Sequence, residues 1–140
     1  MYDCPVEGKS RLVHGAPLQG VVLQHLVVHH DDRGSFAEVL STERDTGLAP
    51  QQWSVVRSVA RSLRGMHYHL RHDECVSVVD GRLSVGLHDL RVGSETFGRS
   101  GLYDLTGADP AYLYFPGGLV HGWVAHEATT HLQAVSETYA

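Results

Sequence analysis

The chain has 140 residues, 42% hydrophobic and 19% charged, with a formal net charge of −5 at pH 7 when its 11 histidines are counted as neutral. That balance describes one globular domain, 1–140, with apolar mass for its own core, and it excludes a disordered polymer. An acidic chain with a pI of about 6.1 also argues against nucleic acid as a partner. No apolar run approaches the roughly 20 residues of a membrane-spanning helix, and the opening MYDCPVEGKS lacks an apolar secretory segment. A cytoplasmic protein without a membrane partner is therefore expected.

Taken in chain order, short runs rich in Val, Leu, Thr and aromatics predict strands at 20–29, 36–40, 53–60, 75–79, 82–90, 102–105, 111–115, 122–126 and 130–135. Turn signals separate them, among them Asp32-Arg33-Gly34, Asp80-Gly81, Val92-Gly93-Ser94, Thr106-Gly107 and Pro116-Gly117-Gly118. Only 41–47 suggests a helical turn, with Ser41 or Thr42 as cap and Gly47 as stop. Many short strands with glycine-rich turns and almost no helical periodicity predict an all-β sandwich or barrel. Cys4 and Cys75 follow no redox or zinc spacing, and Cys75 reads as a reduced, buried small hydrophobe facing away from Glu74. By the period of two, Tyr112 and Tyr114 share a face and Phe115 takes the other. One of these tyrosines is expected to line a pocket, Tyr114 being the candidate; Phe115 and Trp123 are expected in the core. Adjacent His29 and His30 point to opposite faces and cannot chelate together. His25, His88, His126 and His131 lack a partnered carboxylate spacing and are assigned no site.

The histidines that matter fall in two places. His67 and His69 stand two apart, facing one way in a strand, with Glu74 and Gly81 downstream. Some forty residues later, Pro116-Gly117-Gly118-Leu119-Val120-His121 supplies one more imidazole. Neutral imidazoles with one carboxylate suit zinc, iron, nickel or manganese. The alternative from the same residues is a polar, metal-free cavity that binds a substrate. The two half-motifs resemble the metal motif of the cupin superfamily. That resemblance implies a jelly-roll barrel with one divalent ion held by His67, His69, Glu74 and His121.

Four further segments, in order, resemble the dTDP-4-dehydrorhamnose 3,5-epimerase family. Asp31-Asp32-Arg33-Gly34-Ser35-Phe36-Ala37-Glu38 is similar to its D-x-R-G-x-F-x-E, and Leu63-Arg64-Gly65-Met66-His67-Tyr68 to its L-R-G-L-H-Y. Residues 89–98 are similar to its D-L-R-x-G-S-x-T-F-G, and residues 114–123 resemble its I-P-x-G-F-A-H-G-F. The likeness implies a cupin jelly roll, usually a homodimer, acting on a nucleotide-linked 4-keto sugar. It places the family's base at His67 and its substrate contacts at Arg33, Phe36, Glu38, Gln52 and Arg64. The chain departs from the family at other positions. The family's active-site Lys falls on or beside Glu74, its catalytic Tyr on Ala134, its Gln after H-Y on His69, and its Asn after Gln52 on Ser54. The Asp that orients the base has no counterpart through Ala140.

These losses and gains predict an epimerase scaffold refitted with a metal. The expected reaction is isomerisation, epimerisation or cyclisation by proton transfer beside a metal-polarised carbonyl. If His67 binds the ion, another base is needed, and His72, Tyr68, Glu38 or metal-bound hydroxide are the candidates, with His72 expected in a solvated turn. Alternatives are a non-haem iron dioxygenase, a metal-free epimerase working through His67, and a sugar-binding cupin without catalysis.

Overall fold

The computed structural model describes residues 8–41 and 49–137, and all its regular structure is β. The strands are β1 (Arg11–Gly15), β2 (Val22–His25), β3 (Val28–Asp31), β4 (Gly34–Ala37), β5 (Gln52–Ser58), β6 (Ser62–Tyr68), β7 (Glu74–Asp80), β8 (Arg82–Asp89), β9 (Ser100–Thr106), β10 (Ala111–Phe115), β11 (Leu119–Ala125) and β12 (Thr129–Val135). One antiparallel sheet runs β1-β9-β8-β11-β6, a second β2-β10-β7-β12-β5, and β3-β4 form a separate hairpin. This is the expected jelly-roll-like sandwich. Apart from Ser41, the helical turn expected at 41–47 lies outside the described residues, as does Cys4.

Alternation along each strand decides what fills the interior. Val76, Val78, Leu83, Val85, Leu87, Leu105, Leu113 and Phe115 meet between the sheets with 3% exposure or less. Burying each such side chain contributes about 1.5–3 kcal/mol. The opposite face of β7, β10 and β12 carries a second cluster, Cys75, Tyr112, Tyr114 and Ala134, covered by Leu26 and Leu40. Tyr114 therefore does not reach a pocket: its hydroxyl donates to Asp73 Oδ2 at 3.0 Å on this outer layer.

One strand, β1, escaped the sequence reading, β6 was read only through the His67-x-His69 pair, and one long run proved to be two. β1 and β6 sit at sheet edges, and β6 is exposed along most of its length, so neither shows a clean apolar alternation. The run at 20–29 breaks at 26–27, where the chain leaves the second sheet for the β3-β4 hairpin.

Candidate active site

The two halves of the histidine motif arrive from different sheets. Glu74 opens β7, paired with Phe115 on β10 and Val135 on β12. His121 lies in the middle of β11, paired with His67 on β6 and Leu87 on β8. His69 follows the end of β6, and its segment is tied to the Pro116-Gly117-Gly118 turn. Gly118 N–H donates to the His69 carbonyl at 2.8 Å, and Gly117 N–H to Asp73 Oδ1 at 3.0 Å. That approach requires glycine: a Cβ on Gly117 would stand 2.7 Å from the Leu70 carbonyl oxygen, and Gly118 has a φ of +91°.

Between the sheets lies a cavity of about 690 Å³, lined by Arg64, His67, His69, Glu74, His121, Trp123 and Gln133, with Val56, Leu63 and Gly65 at its sides. Glu74 is buried, 1% exposed, and each of its oxygens is engaged. His72 Nε2–H donates to Oε1 at 3.0 Å and Gln133 Nε2–H donates to Oε2 at 2.9 Å. The same Oε1 lies 3.6 Å from Nε2 of both His69 and His121.

The His121 tautomer follows from its neighbour. A carbonyl can only accept, so the 3.2 Å contact of Nδ1 with the Leu119 oxygen puts the proton on Nδ1. Nε2 then presents a bare lone pair to a carboxylate oxygen. Burial lowers the pKa of His121, as it does that of His69, where His72 adds to the effect, so neutral rings are favoured. Two acceptors facing each other at 3.6 Å repel unless a cation lies between them. Ligands about 2.1 Å from a tetrahedral ion would be about 3.4 Å apart, so the spacing fits a metal. The donor atoms of His69, Glu74 and His121 all lie within 4.8 Å of one another.

His67 stands apart from these three. Its ring centre is 6.4 Å from that of His69 and 5.8 Å from that of His121, against 5.4 Å between His69 and His121, and its exposed side chain is not among the donors that lie within 4.8 Å of one another. Of the four expected ligands, His69, Glu74 and His121 have donor atoms that converge, and His67 lies beside them on the cavity wall. His67 and His69 still face the same cavity, as the alternation predicts, with their rings nearly parallel at 17°. His72 also differs from expectation. It is buried against Glu74 and stacks near His69, ring centres 4.1 Å apart, and is not in a solvated turn.

The other expected contacts are dispersed. Arg64 lines the cavity, its guanidinium fixed by donation to Ser58 Oγ and the Arg57 carbonyl. Arg33 and Phe36 lie on the β3-β4 hairpin, where Arg33 pairs with Asp31 at 2.7 Å and lowers the Asp31 pKa. Glu38 follows β4, Gln52 begins β5 beside Val135, and Tyr68 is 43% exposed at the end of β6; none of them lines the cavity. Ala134, which counting assigns to the family's Tyr, faces the outer cluster; its neighbour Gln133 enters the cavity instead. Sequence reasoning missed Gln133, which lines the cavity and donates to Glu74. The period-two rule applied to β12 could have found it, since Ala134 and Gln133 take opposite faces.

A β-sandwich with a histidine-lined cavity between its sheets is the architecture of a cupin. The sequence profile of the dTDP-4-dehydrorhamnose 3,5-epimerase family matches residues 15–140, and the chain belongs to that family of isomerases. It is 32% identical over 106 residues to the spore coat polysaccharide biosynthesis protein SpsL of Bacillus subtilis (strain 168), covering 76% of this chain and 70% of that one. The crystal structure of dTDP-4-dehydrorhamnose 3,5-epimerase from Elizabethkingia anophelis superposes with a TM-score of 0.81 at 28% identity, over 94% of this chain and 76% of that one. ChmJ, a 3'-monoepimerase from Streptomyces bikiniensis solved with dTDP-quinovose, gives a TM-score of 0.82 at 26% identity, over 91% of this chain and 69% of that one.

Proposed function

We propose that this chain isomerises or epimerises a nucleotide-linked 4-keto sugar, with His67 as the base and a divalent ion held by His69, Glu74 and His121. One observation carries the reading: three donors converge while His67 stays outside them, in the position that resembles the family's base. A single imidazole cannot be both ligand and base, and this arrangement gives the roles to different residues. His67 Nδ1 or Nε2 takes the proton from the carbon beside the ketone. Being exposed, it then trades that proton with water. Arg64 is fixed at the cavity wall, where its guanidinium suits a phosphate or carboxylate. A bound ion would act as a Lewis acid for the developing enolate oxygen, the role that the family's Lys and Tyr leave open here.

Support also comes from the relatives, two of which are named as epimerases. The exposed Trp53, Val55, Leu63 and Met66 on edge strands β5 and β6 suit a homodimer face. A buried Cys75 thiol, pushed up to about 12 by burial, suits a reducing cytoplasm.

The test is elemental analysis of the purified protein beside His69→Ala and Glu74→Ala, with deuterium exchange into a dTDP-4-keto-6-deoxyhexose. Near-stoichiometric metal lost in both variants, with exchange lost in His67→Asn while its metal is kept, is the expected result. No metal after reconstitution, with exchange intact, would leave a metal-free epimerase. A second reading has its own observation: two histidines and one carboxylate form the triad of non-haem iron oxygenases. Oxygen consumption with ferrous iron, without deuterium exchange, would favour it.

A further inference from the structure

His69 and His72 belong to the loop between β6 and β7, whereas Glu74 and His121 are held in paired strands. A loop that must aim two imidazoles at one carboxylate needs anchors of its own. Asp73, between His72 and Glu74, supplies them. Its carboxylate meets the outer cluster at Tyr114, while that of Glu74 faces the cavity.

Every polar group of Asp73 is engaged. Oδ2 accepts from the Tyr114 hydroxyl at 3.0 Å, and Oδ1 from Gly117 N–H at 3.0 Å. Its N–H donates to Ser136 Oγ at 2.9 Å, and its carbonyl accepts from Ser136 N–H at 3.0 Å. One residue thus clamps the loop to β10, to the 116–118 turn and to the segment after β12. The turn reaches the histidines directly. Gly118 N–H donates to the His69 carbonyl, and a Cβ on Gly117 would stand 3.2 Å from the His72 carbonyl oxygen. Another tie of this loop, Arg71 with Glu137 at 3.6 Å, joins two exposed side chains and is weak.

The clamp asks for two acceptors on one short side chain, which a carboxylate supplies. Burial, with the Asp73 carboxylate beside it, pushes the Tyr114 hydroxyl up, so it donates at neutral pH. Tyr114 is 8% exposed, and a phenylalanine there would fill the same space without the bond. Asparagine at 73 would keep both contacts, its oxygen accepting from Gly117 and its amide donating to the Tyr114 oxygen.

We propose that Asp73 and Tyr114 are positioning residues: through the loop and the 116–118 turn they hold His69 and His72 against Glu74, and so set how the converging donors meet an ion. This rests on the metal reading above.

The experiment compares wild type with Asp73→Ala, Asp73→Asn and Tyr114→Phe. It reads zinc affinity by chelator competition, the visible d–d bands of the cobalt-loaded protein, and the melting temperature. Asp73→Ala should weaken zinc binding about 10-fold or more and change the cobalt bands. Asp73→Asn should stay within about 3-fold of wild type, and Tyr114→Phe should lose about 3- to 10-fold. Variants that melt lower but keep wild-type affinity and bands show a merely structural role and overturn the proposal. Should Asp73→Ala not fold, Tyr114→Phe decides in the same way. Wild type that takes up neither metal sinks the metal reading, and the clamp is then judged without an ion. The His72 Nε2–H proton, identified by its absence from His72→Phe, should exchange slowly with water in wild type because Glu74 holds it. Faster exchange in Tyr114→Phe sustains the positioning role, and exchange no faster than in wild type overturns it.

Discussion

The two oxygens of the Glu74 carboxylate have different surroundings. Oε1 accepts a hydrogen bond from His72 Nε2–H and faces the lone pair of His121, while Oε2 accepts one from Gln133. Neighbours that fix a ligating carboxylate commonly change metal affinity 10- to 100-fold when removed. His72→Phe and Gln133→Leu should therefore each weaken zinc binding by about 10-fold or more while leaving the ligands in place. A competitive chelator titration checks this, and unaltered affinity in both would mean that the carboxylate is held by its strand alone. His69, Glu74 and His121 were legible in the sequence because their spacing is a chain-local pattern. His72 and Gln133 were not, because their role exists only once β12 and the loop before β7 close on Glu74. A loop histidine reads as solvated until tertiary packing buries it.

At the level of elements, the loop after β8 explains why one family-like segment has nothing to do with the cavity. Asp89 is fully buried, and its carboxylate accepts from Arg91 N and Nε through Oδ1, and from Arg91 Nη2, Ser94 Oγ and Thr96 Oγ1 through Oδ2. The Arg91 guanidinium, with the Ser94 and Thr96 hydroxyls, holds its pKa well below the usual carboxylate range. The motif at 89–98 is thus a hydrogen-bonded loop folded around the Asp89 carboxylate. Asp89→Asn should cost about 2 kcal/mol, read by urea unfolding at neutral pH. Because the folded pKa is depressed, the contribution of Asp89 is complete above the unfolded value of about 3.9 and fades as pH falls toward the folded one. The variant should accordingly lose part of the acid limb of the stability curve. Central strands such as β7 and β8 announced themselves by Val and Leu runs. Edge strands β1 and β6 did not, β1 because only Val13 in it is buried and β6 because exposure along both faces removes the alternation that marks a strand. Counting from His121 crosses the turn into β12, where neighbouring residues alternate between inside and outside, Gln133 on the cavity and Ala134 on the outer cluster.

For the whole molecule, β5 and β6 leave two sheet edges open on the same border, with Trp53, Val55, Leu63 and Met66 exposed along them. If that border is a homodimer face, sedimentation should give twice the 15.4 kDa of one chain, and Val55→Lys should shift the population to monomer. A monomer in wild type at high concentration would refute the pairing. The all-β fold itself was legible because glycine turns and short apolar runs repeat down the chain, whereas the separate β3-β4 hairpin depended on where the chain leaves the sheet. The placement of the converging donors has one more consequence. Glu74 belongs to the β7 sheet and His121 to the β11 sheet, so an ion between them would act as a rivet through both layers. Occupancy and unfolding would then be linked, and the melting temperature would climb with free metal, by about 2.7 kcal/mol of added stability at a hundredfold excess over Kd.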